Sequence, residues 1–161
     1  MTDLYRDALQ DVWLNATCYG CGPANDDGLH IKSYWNEDGT AVVATFQPKP
    51  KYNAGLPNVM YGGLVASLID CHSIWTAIAW AYKDEGRPHG SLPGISFVTG
   101  KLDVSYRQPT PLDVPIKLSA RVESSHGRKS YVHCTLGTED MITAEASVLA
   151  VRIEGDKSAG A

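Results

Sequence analysis

The sequence predicts an α+β domain in which an antiparallel sheet wraps around one long central helix. Two observations carry that prediction. The run from about Tyr61 to Tyr82 is nearly free of charge, and its apolar residues Leu64, Leu68, Ile69, Trp75, Ile78 and Trp80 surround the helix axis instead of forming one stripe. A helix apolar all round is one that other structure encloses. Five or six strand-like segments are available to enclose it, two before the helix and the rest after it.

The elements follow in order. Residues 1–14 place Leu4, Tyr5, Leu9, Val12 and Trp13 at the loose spacing of a short amphipathic helix. Asn15 to Gly28 is rich in Gly, Asn, Asp and Pro and reads as a loop. Leu29–Trp35 and Ala41–Gln47 are strand-like and are joined through Asp38-Gly39, a strong hairpin signal. Pro48 to Asn58 is irregular, and the long helix follows. Four more strands are expected at Ile95–Arg107, Val114–Ser124, Lys129–Gly137 and Ile142–Ile153, and the small polar tail from Glu154 is expected to fray. No repeat or linker divides the chain, so 1–161 is expected to be one domain.

Composition narrows the function. The 161 residues are 43% hydrophobic and 20% charged, with a net charge of −4, which is the profile of an ordinary globular domain. Lys and Arg are scattered, and a nucleic-acid partner needs a basic face, so none is expected. The long helix passes for a membrane span by length, but Asp70 near its centre would cost at least about 2.5 kcal/mol at mid-bilayer. A buried helix and no membrane partner are therefore expected. Met1-Thr2-Asp3-Leu4 has no basic or apolar leader pattern, and the four cysteines are read as reduced thiols in the cytoplasm.

At 100° per residue, Gly63, Ser67, Asp70, Ser73 and Ile74 share one side of the helix, with His72 and Thr76 roughly opposite. A carboxylate on so greasy a helix needs either partners or a chemical role. On composition alone, Asp70 serves equally as an ion-pair anchor or as a functional group.

The segment Asn58-Val59-Met60-Tyr61-Gly62-Gly63-Leu64-Val65-Ala66-Ser67-Leu68-Ile69-Asp70 resembles the signature of the PaaI-like acyl-CoA thioesterases, which have the hotdog fold. In that family a His-Gly-Gly triplet opens the central helix, and an acidic residue follows eight positions after the first glycine. Gly62 and Asp70 keep that spacing. The run from Thr99 to Pro109 resembles the family's third-strand pattern ending Tyr-x-x-Pro, and Thr99 falls where many members place a Ser or Thr near the thioester. The resemblance covers roughly residues 28 to 153. Tyr61 departs from it, standing where most relatives have His.

The resemblance implies hydrolysis of an acyl-CoA thioester without metal or other cofactor. It assigns Asp70, Gly63 and Thr99 to catalysis and Asn58, Tyr61, Gly62 and Ser67 to substrate binding. The N–H groups of Gly62 and Gly63, at the positive end of the helix, suit a developing oxyanion, and such donors are worth about 3–4 kcal/mol in a transition state. Asp70 would act as general base or as nucleophile, a choice these residues leave open. The resemblance also implies a homodimer or homotetramer, with the carboxylate of one subunit facing the helix start of the other. Tyr61 keeps alive a non-catalytic acyl-CoA binding protein on the same fold; a hotdog hydratase or dehydratase is a more distant alternative, since those enzymes carry a catalytic His that the helix motif here lacks.

Other candidates are weaker. Cys18-Tyr19-Gly20-Cys21 suggests zinc, but a structural zinc takes four ligands and no second paired motif exists. Cys71 and Cys134 lie in a helix and a strand, so free thiols and no metal are expected. Cys71 and His72 are adjacent helix residues that point about 100° apart, which excludes a nucleophile pair. His72 is expected to be buried and satisfied by its surroundings. Gly127-Arg128-Lys129 reads as a solvated turn.

Overall fold

Asn36, Asp38 and Gly39 turn the first hairpin of the computed structural model, which describes residues 4–154. Gly39 takes φ +69, a conformation few side chains tolerate. The Asn36 carboxamide oxygen accepts the backbone N–H groups of Thr40 and Ala41 at 3.0 and 3.1 Å. The hairpin pairs β1 (Ser33–Trp35) with β2 (Val42–Phe46). After the helix α1 (Gly62–Asp84) come β3 (Ser96–Tyr106), β4 (Ile116–His126), β5 (Lys129–Gly137) and β6 (Ile142–Ile153).

The six strands form one antiparallel sheet in the order β1-β2-β4-β5-β6-β3. β3 therefore closes one edge, although it is the first strand after the helix. On the inner face, alternate residues of β4, β5 and β6 are buried, among them Leu118, Val132, Leu136 and Val148. Ala144, Ala146 and Ala150 of β6 are buried too, and such small side chains leave room for a helix to lie close to the sheet. α1 is long and apolar enough to cross a membrane, with mean hydropathy 1.3, yet most of that window is buried within the fold. It is the core of the domain.

A polar chain threads this core. The His72 ring accepts from the Ser33 hydroxyl at Nδ1 (2.8 Å) and donates from Nε2 to the Val42 carbonyl (3.0 Å). Gln10 donates to the Ser33 hydroxyl and accepts the Ser33 N–H. All three side chains are fully buried and mutually satisfied, as buried polar groups must be. Burial pushes His72 down to about 4, so the ring stays neutral.

The structure corrects three boundaries. The expected amphipathic helix over 1–14 is a single 3-10 turn, Leu9–Val12, with residues 1–3 outside the described region. Leu9 and Gln10 insert into the core, and these tertiary bonds outweigh the weak helical tendency of so short a segment. The expected strand Leu29–Trp35 begins only at Ser33. His30 takes φ +52, and the N–H groups of Leu29 and Ile31 go to the carbonyls of Tyr19 and Gly20 instead of a strand. β4 starts later than expected, after Pro115, and runs on to His126, because Gly127 at φ +58 makes a tight turn. Lys129–Gly137 and Ile142–Ile153 match the expected bounds. The expected frayed tail lies, from residue 155 on, outside the described residues.

Candidate active site

The start of α1 is held from two sides. Tyr61 is its N-cap, and its carbonyl accepts the N–H groups of Leu64 and Val65 at 3.0 and 3.2 Å. The N–H groups of Gly62 and Gly63 precede these first bonds and lie outside the helical ladder. The Tyr106 hydroxyl, from the end of β3, donates to the Gly62 carbonyl at 2.7 Å. This positioning role for Tyr106 was missed in the sequence, where the residue counted only as part of a motif. The Tyr61 ring lies across Gly63, so that a Cβ there would meet ring carbon Cε1 at 2.5 Å. Ser67 turns its hydroxyl back to the Gly63 carbonyl at 2.8 Å.

Tyr61, Gly63 and Ser67 line one cavity of about 390 Å³, together with Tyr19, Lys51 and Tyr52. Asn58 lines no part of it. Its amide donates to Asp113 and accepts the Leu112 N–H at 2.9 Å, and its backbone takes φ +54. Both ends of the Asn58 side chain therefore tie the segment before the helix to the loop after β3.

Asp70 opens onto a second cavity of about 380 Å³. Thr99 is its partner: the hydroxyl donates to Asp70 Oδ1 at 2.5 Å. Gly100 is the extra residue where the β3–β6 register shifts, so Thr99 sits beside a bulge, a device that re-aims side chains next to sites. The rest of this cavity is largely apolar, with Trp13, Ile74, Trp75, Ile78, Phe97 and Val98 in its wall. The expected polar stripe thus divides. Gly63 and Ser67 face the first cavity and Asp70 the second, while Ser73 is fully buried.

The second cavity also contains an arrangement that the sequence reading kept apart. Cys71 reaches the Cys18-x-x-Cys21 loop, and the three sulfurs lie within 4.8 Å of one another. Cys18 Sγ and Cys71 Sγ are 3.7 Å apart, and the Trp75 indole N–H donates to Cys21 Sγ at 3.2 Å. Hydrogen bonds from Cys71, Trp75 and Cys18 hold the Cys21 thiol well below its ordinary range, while the same contact with Cys21, together with burial, pushes Cys71 up. Being in a helix did not exclude Cys71; it only fixed the face from which Cys71 meets the loop.

Comparison with known proteins adds a family context. The family model for the thioesterase superfamily matches residues 57–145. The curated acyl-coenzyme A thioesterase THEM4 of Bos taurus is 28% identical over 137 residues, covering 83% of this chain and 51% of that protein. THEM4 of Xenopus laevis is 28% identical over 128 residues, covering 78% and 51%. The chain spans about half the length of the curated relatives it matches. Among solved structures, a thioesterase superfamily protein from Shewanella loihica is 36% identical with TM-score 0.61, over 76% of this chain and 90% of that one. The PaaI protein of E. coli, from the phenylacetic acid degradation operon, shares the fold at TM-score 0.63 and 16% identity, over 79% and 82% of the two chains.

Proposed function

Because the chain belongs to the thioesterase superfamily, we propose that it hydrolyses acyl-CoA thioesters, with Asp70 as the general base. The observation that carries this reading is the Thr99–Asp70 pair at the rim of an apolar cavity. Thr99 occupies Oδ1, which leaves Oδ2 for a water molecule. In the step, a water oxygen bonds to the acyl carbon and its proton passes to Asp70. The tetrahedral intermediate then collapses with cleavage of the C–S bond, and the departing CoA thiolate takes up a proton. The acyl group occupies the apolar cavity.

The oxyanion donors belong to another place on the helix. Gly63 and Asp70 are seven residues apart, or about 10 Å along the axis, too far to act on one carbonyl. The active unit in this reading is a dimer at least, in which Asp70 of one subunit faces the Gly62-Gly63 turn of the other. The edge strand β3, which exposes Val98 to Lys101 and Asp103, suits such an assembly.

Asp70→Asn tests the catalytic role. The amide keeps the size of the side chain and a hydrogen bond to Thr99, but it cannot take the proton. We expect kcat to fall by about 10²–10⁴-fold, with the melting temperature unchanged or higher. An Asp70 that serves only as an anchor gives the opposite pattern, with lower stability and unchanged turnover per folded molecule. A second reading, binding without hydrolysis, is favoured by the Tyr61 ring covering Gly63. Release of free thiol from a panel of acyl-CoAs separates the two.

A further inference from the structure

We propose that Cys18, Cys21 and Cys71 form a binding site for one Zn²⁺ ion at the mouth of the cavity that contains Asp70. The geometry carries it. A tetrahedral zinc with Zn–S bonds of about 2.3 Å sets its sulfurs roughly 3.8 Å apart. Cys18 and Cys71 already stand at 3.7 Å, and the third sulfur lies within 4.8 Å of both. An ion capping this triangle needs side-chain shifts of about an ångström or less, not a refolded loop.

The surroundings are built for three converging sulfurs. Gly20 and Gly22 flank Cys21, and a Cβ on Gly20 would overlap Cys71 Sγ. A Cβ on Gly22 would come within 2.7 Å of the Cys18 carbonyl oxygen, which instead accepts the Gly22 N–H at 2.8 Å. The loop therefore winds tightly around the thiols, and only glycine at position 20 lets the helix bring Cys71 beneath it. The Trp75 indole N–H, aimed at Cys21 Sγ, is the kind of outer hydrogen bond that orients a thiolate ligand. A disulfide would use two of these sulfurs and strand the third, whereas a thiophilic cation uses all three.

Each thiol still protonated gives up its proton to solvent on ligation. Three protein ligands leave a fourth position for water or a soft ligand such as a free thiol, and the same cavity holds Asp70 and Thr99. This site stands whether or not the chain is a hydrolase, since it rests on the thiols alone.

The test is metal titration of the full chain after chelation under a reductant, first with Co²⁺ as a spectroscopic probe and then with Zn²⁺. We expect about one Co²⁺ per chain, with thiolate-to-cobalt charge-transfer bands and the strong visible bands of tetrahedral cobalt, displaced by Zn²⁺. Cys71→Ser should weaken Zn²⁺ binding by at least about 100-fold. Gly20→Ala, which removes no ligand, should weaken it by roughly 10–100-fold. Cys18 is exposed, so Cys18→Ser supplies a ligand variant that folds even if Cys71→Ser does not. An octahedral cobalt spectrum, Zn²⁺ binding below about a tenth of an equivalent, or unchanged affinity in folded Cys18→Ser overturns the proposal.

Discussion

His72 and Tyr61 show how differently single residues contribute. His72 is fully buried and neutral, held at about 4 against the usual 6.5 by loss of solvent. The unfolded chain takes up a proton below pH 6.5 that the folded ring refuses until about pH 4. Stability from this residue is therefore complete above pH 6.5 and is lost as pH falls toward 4, by roughly 3 kcal/mol in all. Burial pushes His89 down as well, and it adds a loss of the same sign. Urea unfolding at pH 7, 6 and 5 should show the midpoint falling steadily, and a flat profile would contradict the buried-imidazole account. Tyr61 is exposed and outside the core, so its substitution is expected to leave the fold intact and to test the proposed function. Its phenol can donate a hydrogen bond to a bound substrate in the proposed reaction. Tyr61→Phe should cost kcat nearer tenfold than a thousandfold; abolished turnover in a folded variant would make the hydroxyl essential.

In the proposed reaction the start of α1 is the element that supplies the oxyanion donors. Two glycines, a Tyr106 hydroxyl on the Gly62 carbonyl and a ring across Gly63 define a narrow approach to free backbone N–H groups. Gly63→Ala raises local helix propensity by up to about 1 kcal/mol, while its Cβ forces the Tyr61 ring aside and crowds that approach. We expect an equal or higher melting temperature together with a clear loss of kcat. A variant that gains stability and keeps full activity would show that no substrate atom approaches Gly63. The strands were legible in the sequence wherever alternation was strong and turns were marked, as in β5 and β6. They were not legible where long-range bonds decide, as at Leu29 and Ile31, whose N–H groups go to a loop some ten residues earlier in the chain.

At the scale of the whole molecule, the helix start and the carboxylate serve two separate cavities. A shared site therefore needs a second copy, and sedimentation at micromolar concentration should show dimers or larger species. A persistent monomer with full activity would remove the shared-site mechanism. The sequence by itself determined the central helix, the antiparallel sheet and the Gly62–Asp70 spacing. These depend on local periodicity, on turn chemistry and on the order of residues along one helix. Only the tertiary structure decided that β3 lies at an edge, that Asn58 ties two loops together, that Tyr106 holds the helix start, and that Cys71 joins Cys18 and Cys21. Each of these depends on contacts between residues about 38 to 57 positions apart, and side-chain spacing along the chain carries no record of which distant surfaces packing will bring together.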